Sequence, residues 1–178
     1  MIATVGDEPE EPGGDGAGDG GSGEARLAEF LDAETARWSA LTPDLAWPLD
    51  ALRRLVLAGG KRLRPSFCFW AFVGAGGDPD DPRVVDAGAA FELLHAFALM
   101  HDDVMDDWDT RRGLETIHAE FATHHADAGW GGESRRFGEG VAILVGDLAH
   151  VFADRVLPTD APELAAAWDE LRIELNVG

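Results

Sequence analysis

From Glu24 onward, apolar side chains recur three and four positions apart, as in Leu27, Phe30, Leu31 and Trp38. That spacing gathers them on one face of a helix and predicts a first amphipathic helix to about Leu41. The stretch "TPDLAWPLDALRRLVLAGG" predicts a turn and a second helix stopped at Gly59-Gly60, because glycine accepts the left-handed backbone that follows a helix end. Pro65 opens a third, strongly apolar helix, "PSFCFWAFVGAGG", closed by its own glycines. The longest helix is expected next. Asp81 is its N-cap, Pro82 fits the first helical position, and no breaker follows before Asp107. At about 1.5 Å per residue, its roughly 25 residues span about 37 Å. "TIHAEFATHHADAGW" and "RRFGEGVAILVGDLAHVFADRVLP" predict two more helices, and "APELAAAWDELRIELNVG" predicts a last one that is still apolar at helical spacing where the chain stops.

No cluster of Val, Ile and Thr reads as a strand, so 178 residues at 46% apolar composition predict a single all-α domain. Residues 1–23 are Gly, Pro and acid with little to bury, and ordering them would cost more than it returns. They are expected to form a disordered acidic tail ahead of a helical domain over 24–178. The opening lacks the basic start and apolar core of a signal peptide, and no uncharged apolar run reaches eighteen residues. The expectation is a soluble, cytoplasmic protein without a transmembrane segment. A single cysteine, Cys68, excludes a disulfide framework or a thiolate metal site. A net charge of −20 excludes a broad basic face for nucleic acid, so any phosphate must be met locally by the arginines and the single lysine, Lys61.

The candidate chemistry lies at the end of the long helix, in "MHDDVMDDWDTRRG". Asp102 and Asp106 are one turn apart on a helix face, with Asp103 beside them, so the spacing lets three carboxylates converge. His95 and Glu92 continue that stripe backward. Acids are disfavoured at a helix C-terminus and repel one another, and a divalent cation removes both penalties. Oxygen-only ligands suit a hard ion such as Mg²⁺, which keeps several waters and is usually shared with a substrate phosphate. Arg111 and Arg112 match phosphate oxygens in geometry, or simply neutralise the neighbouring aspartates. A second constellation, "GGKRLRP", sets Lys61, Arg62 and Arg64 behind a glycine pair. It reads either as a basic helix end or as a second phosphate site. Two anion sites with an apolar interior between them suit two diphosphates that carry hydrocarbon.

The ordered set "GGKRLRP", "ELLHAFALMHDDVMDDWDTRRG" and "GVAILVGDLAH" resembles the N-terminal half of the trans-isoprenyl diphosphate synthases, or polyprenyl synthetases. The resemblance runs from about Leu45 to Gly178. It implies a helical bundle around a central cavity, and a homodimer that condenses isopentenyl diphosphate with an allylic diphosphate. Asp102, Asp103 and Asp106 would form the first aspartate-rich motif and hold Mg²⁺ against the allylic diphosphate, with Arg111 on that same diphosphate. Lys61, Arg64, His95 and Arg112 match positions that bind isopentenyl diphosphate. Phe97 and Ala98, five and four residues before Asp102, match the positions that set product length, and a lone aromatic at the farther one resembles enzymes making geranylgeranyl diphosphate. Phe97 also reads as ordinary core packing.

Members of that family are much longer and carry a second aspartate-rich motif that this sequence lacks. The chain therefore reads as a piece of such an enzyme, inactive by itself and incomplete as a bundle. A noncatalytic subunit that binds a prenyl synthase is a second reading, and a class I terpene cyclase, which would not need "GGKRLRP", is a third. Outside these motifs, His124, His125 and Asp127 read as solvated surface. Asp147 reads as a buried, hydrogen-bonded acid, and Glu115, Glu120, Glu133, Glu139 and Glu174 as helix surface.

Overall fold

The computed structural model describes residues 20–111, 113–158 and 160–178. The helix that the sequence marks as longest is α4, Pro82–Met105, and the other elements are arranged around it. Its start follows the expected chemistry: Asp81 has extended backbone, its carboxylate accepts the Arg83 N–H at 2.9 Å, and Pro82 takes the first turn, where no backbone donor is needed. Ahead of it lie α1 (Gly20–Leu41), a 3₁₀ turn (Pro43–Leu45), α2 (Ala46–Leu57) and α3 (Leu63–Gly74). After it come α5 (Ile117–Asp127), α6 (Ser134–Val156) and α7 (Pro162–Val177). The fold is all-α apart from a two-residue antiparallel pair, β1 (Thr110–Arg111) with β2 (Leu114–Glu115), whose turn contains Gly113 at φ 81°.

α4 packs along α6 on one side and against α1 and α3 on the other, while α5 lies on α6. Leu27 and Leu31 of α1, Leu52 of α2, and Leu93 and Met100 of α4 are the most deeply buried large side chains. α4 is long and apolar enough to cross a membrane, but 56% of its apolar window is buried, as expected of a core helix. Close helix approach depends on glycine at one crossing in particular. At Gly138 of α6 a Cβ would collide with the backbone carbonyl of His118 in α5.

Several boundaries differ from those the apolar pattern predicts. Residues 1–19, which carry most of the expected acidic tail, lie outside the described residues. α1 begins at Gly20, because its first turn holds no apolar side chain and so leaves no mark in the pattern. α3 begins at Leu63. Arg62 adopts left-handed backbone (φ 44°) and its carbonyl accepts the Ser66 N–H at 3.1 Å, which puts Pro65 at the third position of the first turn.

Some polar residues expected at the surface are structural. His125 is 4% exposed, its Nδ1 lies 3.1 Å from the Ser134 hydroxyl, and its ring meets Phe137 and Trp130. Adjacent His124 packs edge-on against Trp47 and, like His125, edge-on against Trp130. Glu120 accepts from Trp47 Nε1 at 3.0 Å and from Arg54 at 2.7 Å, which ties α2 to α5. Asp147, expected to be buried, is exposed and stands 3.4 Å from His101 Nε2. The apolar run around it faces both the core and the outside, and Asp147 falls on the outer face.

Candidate functional site

Helix α4 ends within the acid cluster. The Asp106 N–H donates to the Asp102 carbonyl at 2.8 Å, Asp106 is the C-cap, and Asp107 then turns left-handed at φ 59°. The Trp108 N–H closes back onto the Asp103 carbonyl at 3.0 Å. Beyond this turn the β1–β2 hairpin brings Arg111 onto Asp103, whose carboxylate accepts from Arg111 Nε at 2.7 Å. Asp103 is 5% exposed, so its charge is neutralised in a nearly buried ion pair. Asp102 and Asp106 are exposed. The three carboxylates therefore do not converge as their spacing allows: one is drawn inward by Arg111, and two remain available to a ligand. Arg112 lies outside the described residues.

Asp102 borders a cavity of about 800 Å³ bounded by α3, α4 and α7. His95, Ala98 and Asp102 form one stripe of α4 along it, Arg64 stands at the α3 edge, and Phe91, Leu94 and Leu175 contribute apolar wall. Cys68 also lines the cavity, and burial pushes its thiol above the ordinary value, so it is held protonated. A volume of this size fits a drug-sized or hydrocarbon-bearing ligand.

The other predicted residues divide. Lys61 is exposed, on a loop where Gly59 and Gly60 take φ of 81° and 145°, and it stands outside the cavity lining. Arg62, grouped in the sequence with Lys61 and Arg64, turns away. It pairs with Glu92 of α4 and donates to the Val56 carbonyl at 2.9 Å, so it locks the loop to the core. Phe97 is 8% exposed and lies on the α6 side of α4, stacked on His150 with centroids 4.7 Å apart. Of the two length-setting candidates, Ala98 borders the cavity and Phe97 packs in the core. Sequence reasoning missed a further group, Asp107, Asp109 and His118, which only the hairpin turn brings together.

Residues 46–174 match the polyprenyl synthetase family. The chain belongs to that family. Among curated relatives, this polyprenyl synthetase chain is 39% identical over 110 residues to the short chain isoprenyl diphosphate synthase of Methanothermobacter thermautotrophicus, covering 62% of this chain and 28% of that protein. It is 41% identical over 146 residues to a probable farnesyl diphosphate synthase of Bradyrhizobium diazoefficiens, covering 78% and 36% respectively. The chain thus spans roughly a third of the length of the curated relatives it matches. Among solved structures, it is similar to a geranylgeranyl pyrophosphate synthase of Corynebacterium glutamicum complexed with isoprenyl diphosphate and magnesium. The TM-score is 0.76 at 34% identity, over 85% of this chain and 44% of that one.

Proposed function

We propose that this chain is the N-terminal part of a Mg²⁺-dependent prenyltransferase that adds isopentenyl diphosphate to an allylic diphosphate. The observation that carries the reading is the placement of Asp102, His95 and Arg64 around one cavity whose remaining walls are apolar except for Glu174. A carboxylate for a metal ion, a guanidinium for phosphate and a hydrocarbon-compatible interior are what a prenyl diphosphate requires.

The donor set fits the ion. Asp102 and Asp106 offer exposed carboxylates one turn apart, and Mg²⁺ is usually held by one or two carboxylates plus waters and substrate phosphate. Once bound, it supplies charge neutralisation to the departing pyrophosphate. The protein's own groups do the rest. Arg64, His95, Arg112 and the exposed Lys61 hold isopentenyl diphosphate, and Arg111, released from Asp103, turns to the allylic diphosphate. The allylic C–O bond breaks with its electron pair leaving on pyrophosphate. The alkene pair of isopentenyl diphosphate forms the new C–C bond, and loss of a proton restores the double bond. Apolar walls keep water from the allylic cation. No protein nucleophile takes part.

Product length is assigned to Ala98, where a small residue leaves the cavity open below Asp102. This allows the geranylgeranyl product, although the relatives' names range from farnesyl to nonaprenyl synthases. A homodimer suits the exposed apolar side chains Leu144 and Val151 on the outer face of α6. The site of action is taken to be the cytoplasm.

The test uses the complete protein with Mg²⁺, an allylic diphosphate and labelled isopentenyl diphosphate. Longer prenyl diphosphates are expected, and Asp102→Ala should abolish them. Near-normal elongation by that variant would reject the metal role, and a cyclised hydrocarbon product would mark a terpene cyclase.

A further inference from the structure

Asp107, Asp109 and His118 each offer a ligand atom, and these atoms lie within 4.8 Å of one another. This is the one such group of His, Cys, Asp or Glu among the described residues, and it shares no member with Asp102, Asp103 and Asp106. Two exposed aspartates would by themselves mean little. His118 makes the difference: it is 3% exposed, and its Nε2 is buried without a hydrogen bond to any described residue. A buried polar nitrogen without a partner is costly, and native structures rarely leave one unless an ion or water completes it.

The geometry around the ring is that of a metal ligand. His118 Nδ1 lies 3.2 Å from the Thr116 hydroxyl, itself buried. An Nδ1–H donated to that oxygen fixes the tautomer and leaves the Nε2 lone pair directed at the carboxylates. Asp109 Oδ1 is 3.7 Å from Nε2. With bonds of about 2.1 Å, that separation corresponds to an angle of about 120° at a shared ion. Asp107 also pairs with Arg135, whose Nε donates to Glu139 at 2.9 Å. A carboxylate has about four lone-pair sites, so one guanidinium contact leaves room for a cation.

We infer that Asp107, Asp109 and His118 form a second cation site that takes a first-row transition dication such as Zn²⁺. The donor set supports that class: an imidazole nitrogen with two carboxylates favours Zn²⁺ over Mg²⁺, which prefers oxygen alone. Bound there, the ion joins the turn after α4 to the start of α5 and fixes the loop that carries Arg111. The inference does not depend on the proposed prenyltransferase activity.

Calorimetric titration of the full chain with Zn²⁺ alone, without diphosphate, tests it. One site is expected to weaken at least ~10-fold in Asp109→Asn and in His118→Gln, and by about 10- to 100-fold in Thr116→Val through loss of the supporting hydroxyl. Asp102→Asn should leave it unchanged. Asp109 is 79% exposed, so its variant reports on binding even where the buried His118 variant fails to fold. Absence of Zn²⁺ binding, binding indifferent to Asp109→Asn, or binding lost only with Asp102→Asn would each overturn the site.

Discussion

Phe97 and Ala98 are neighbours in the chain with opposite surroundings, and the difference decides what each can do. Phe97 is clamped between α4 and α6 on His150, so Phe97→Ala should cost about 3–5 kcal/mol in denaturant unfolding, as in other buried aromatic truncations. It should leave product length unaltered in the complete protein. Ala98→Phe, by contrast, projects into the cavity and should shorten the product, as read by chromatography of the prenyl diphosphates. His150 gives a pH test at the same place. Burial pushes its pKa below the ordinary 6.5, with Arg172 adding to the effect and Asp154 opposing it. Below pH 6.5 the unfolded chain therefore binds the proton more readily, and stability is lost as pH falls from neutral through the folded value. His150→Gln should flatten the part of the stability–pH slope below neutrality. An unchanged slope would show that the ring is solvated like a free imidazole.

At the scale of elements, the apolar spacing and the caps carried most of the information. Asp81-Pro82 marked the start of α4 correctly because a cap is a local event, decided by one side chain and two backbone groups. The β1–β2 hairpin left no such mark. Two residues per strand have no periodicity, and what matters about the hairpin is the delivery of Arg111 to Asp103 across eight positions. The contact of α5 with α6 was equally hidden, since a glycine in a helix reads as a weakness until its neighbour is known. Gly138→Ala would press a methyl group onto the His118 carbonyl. It should destabilise the chain by about 1–3 kcal/mol, measurable as a lowered thermal midpoint.

At the scale of the molecule, α6 presents Leu144 and Val151 outward at 69% and 60% exposure, more apolar surface than a solvated helix face needs. If this face joins two copies of the complete protein, Leu144→Glu should shift sedimentation from dimer toward monomer. An unchanged dimer would place the interface elsewhere. The cavity is likewise a property of the assembled helices. Arg64, His95 and Asp102 come from α3 and α4, and one wall is supplied by α7, which begins 60 positions beyond Asp102.

The amino-acid sequence alone established the helices, their order, the all-α class and the family, because periodicity, caps and short motifs are local and survive without contacts. By resemblance it also pointed to Asp102 for a metal ion and to His95 and Arg64 for a second diphosphate. Folding decided the remainder. Asp103 became an ion-pair partner of Arg111, Arg62 a brace to Glu92 and Phe97 a core residue, while Asp107, Asp109 and His118 came together. Each of these outcomes depends on which charge or ring a neighbouring element brings near, and spacing along one chain cannot encode that proximity.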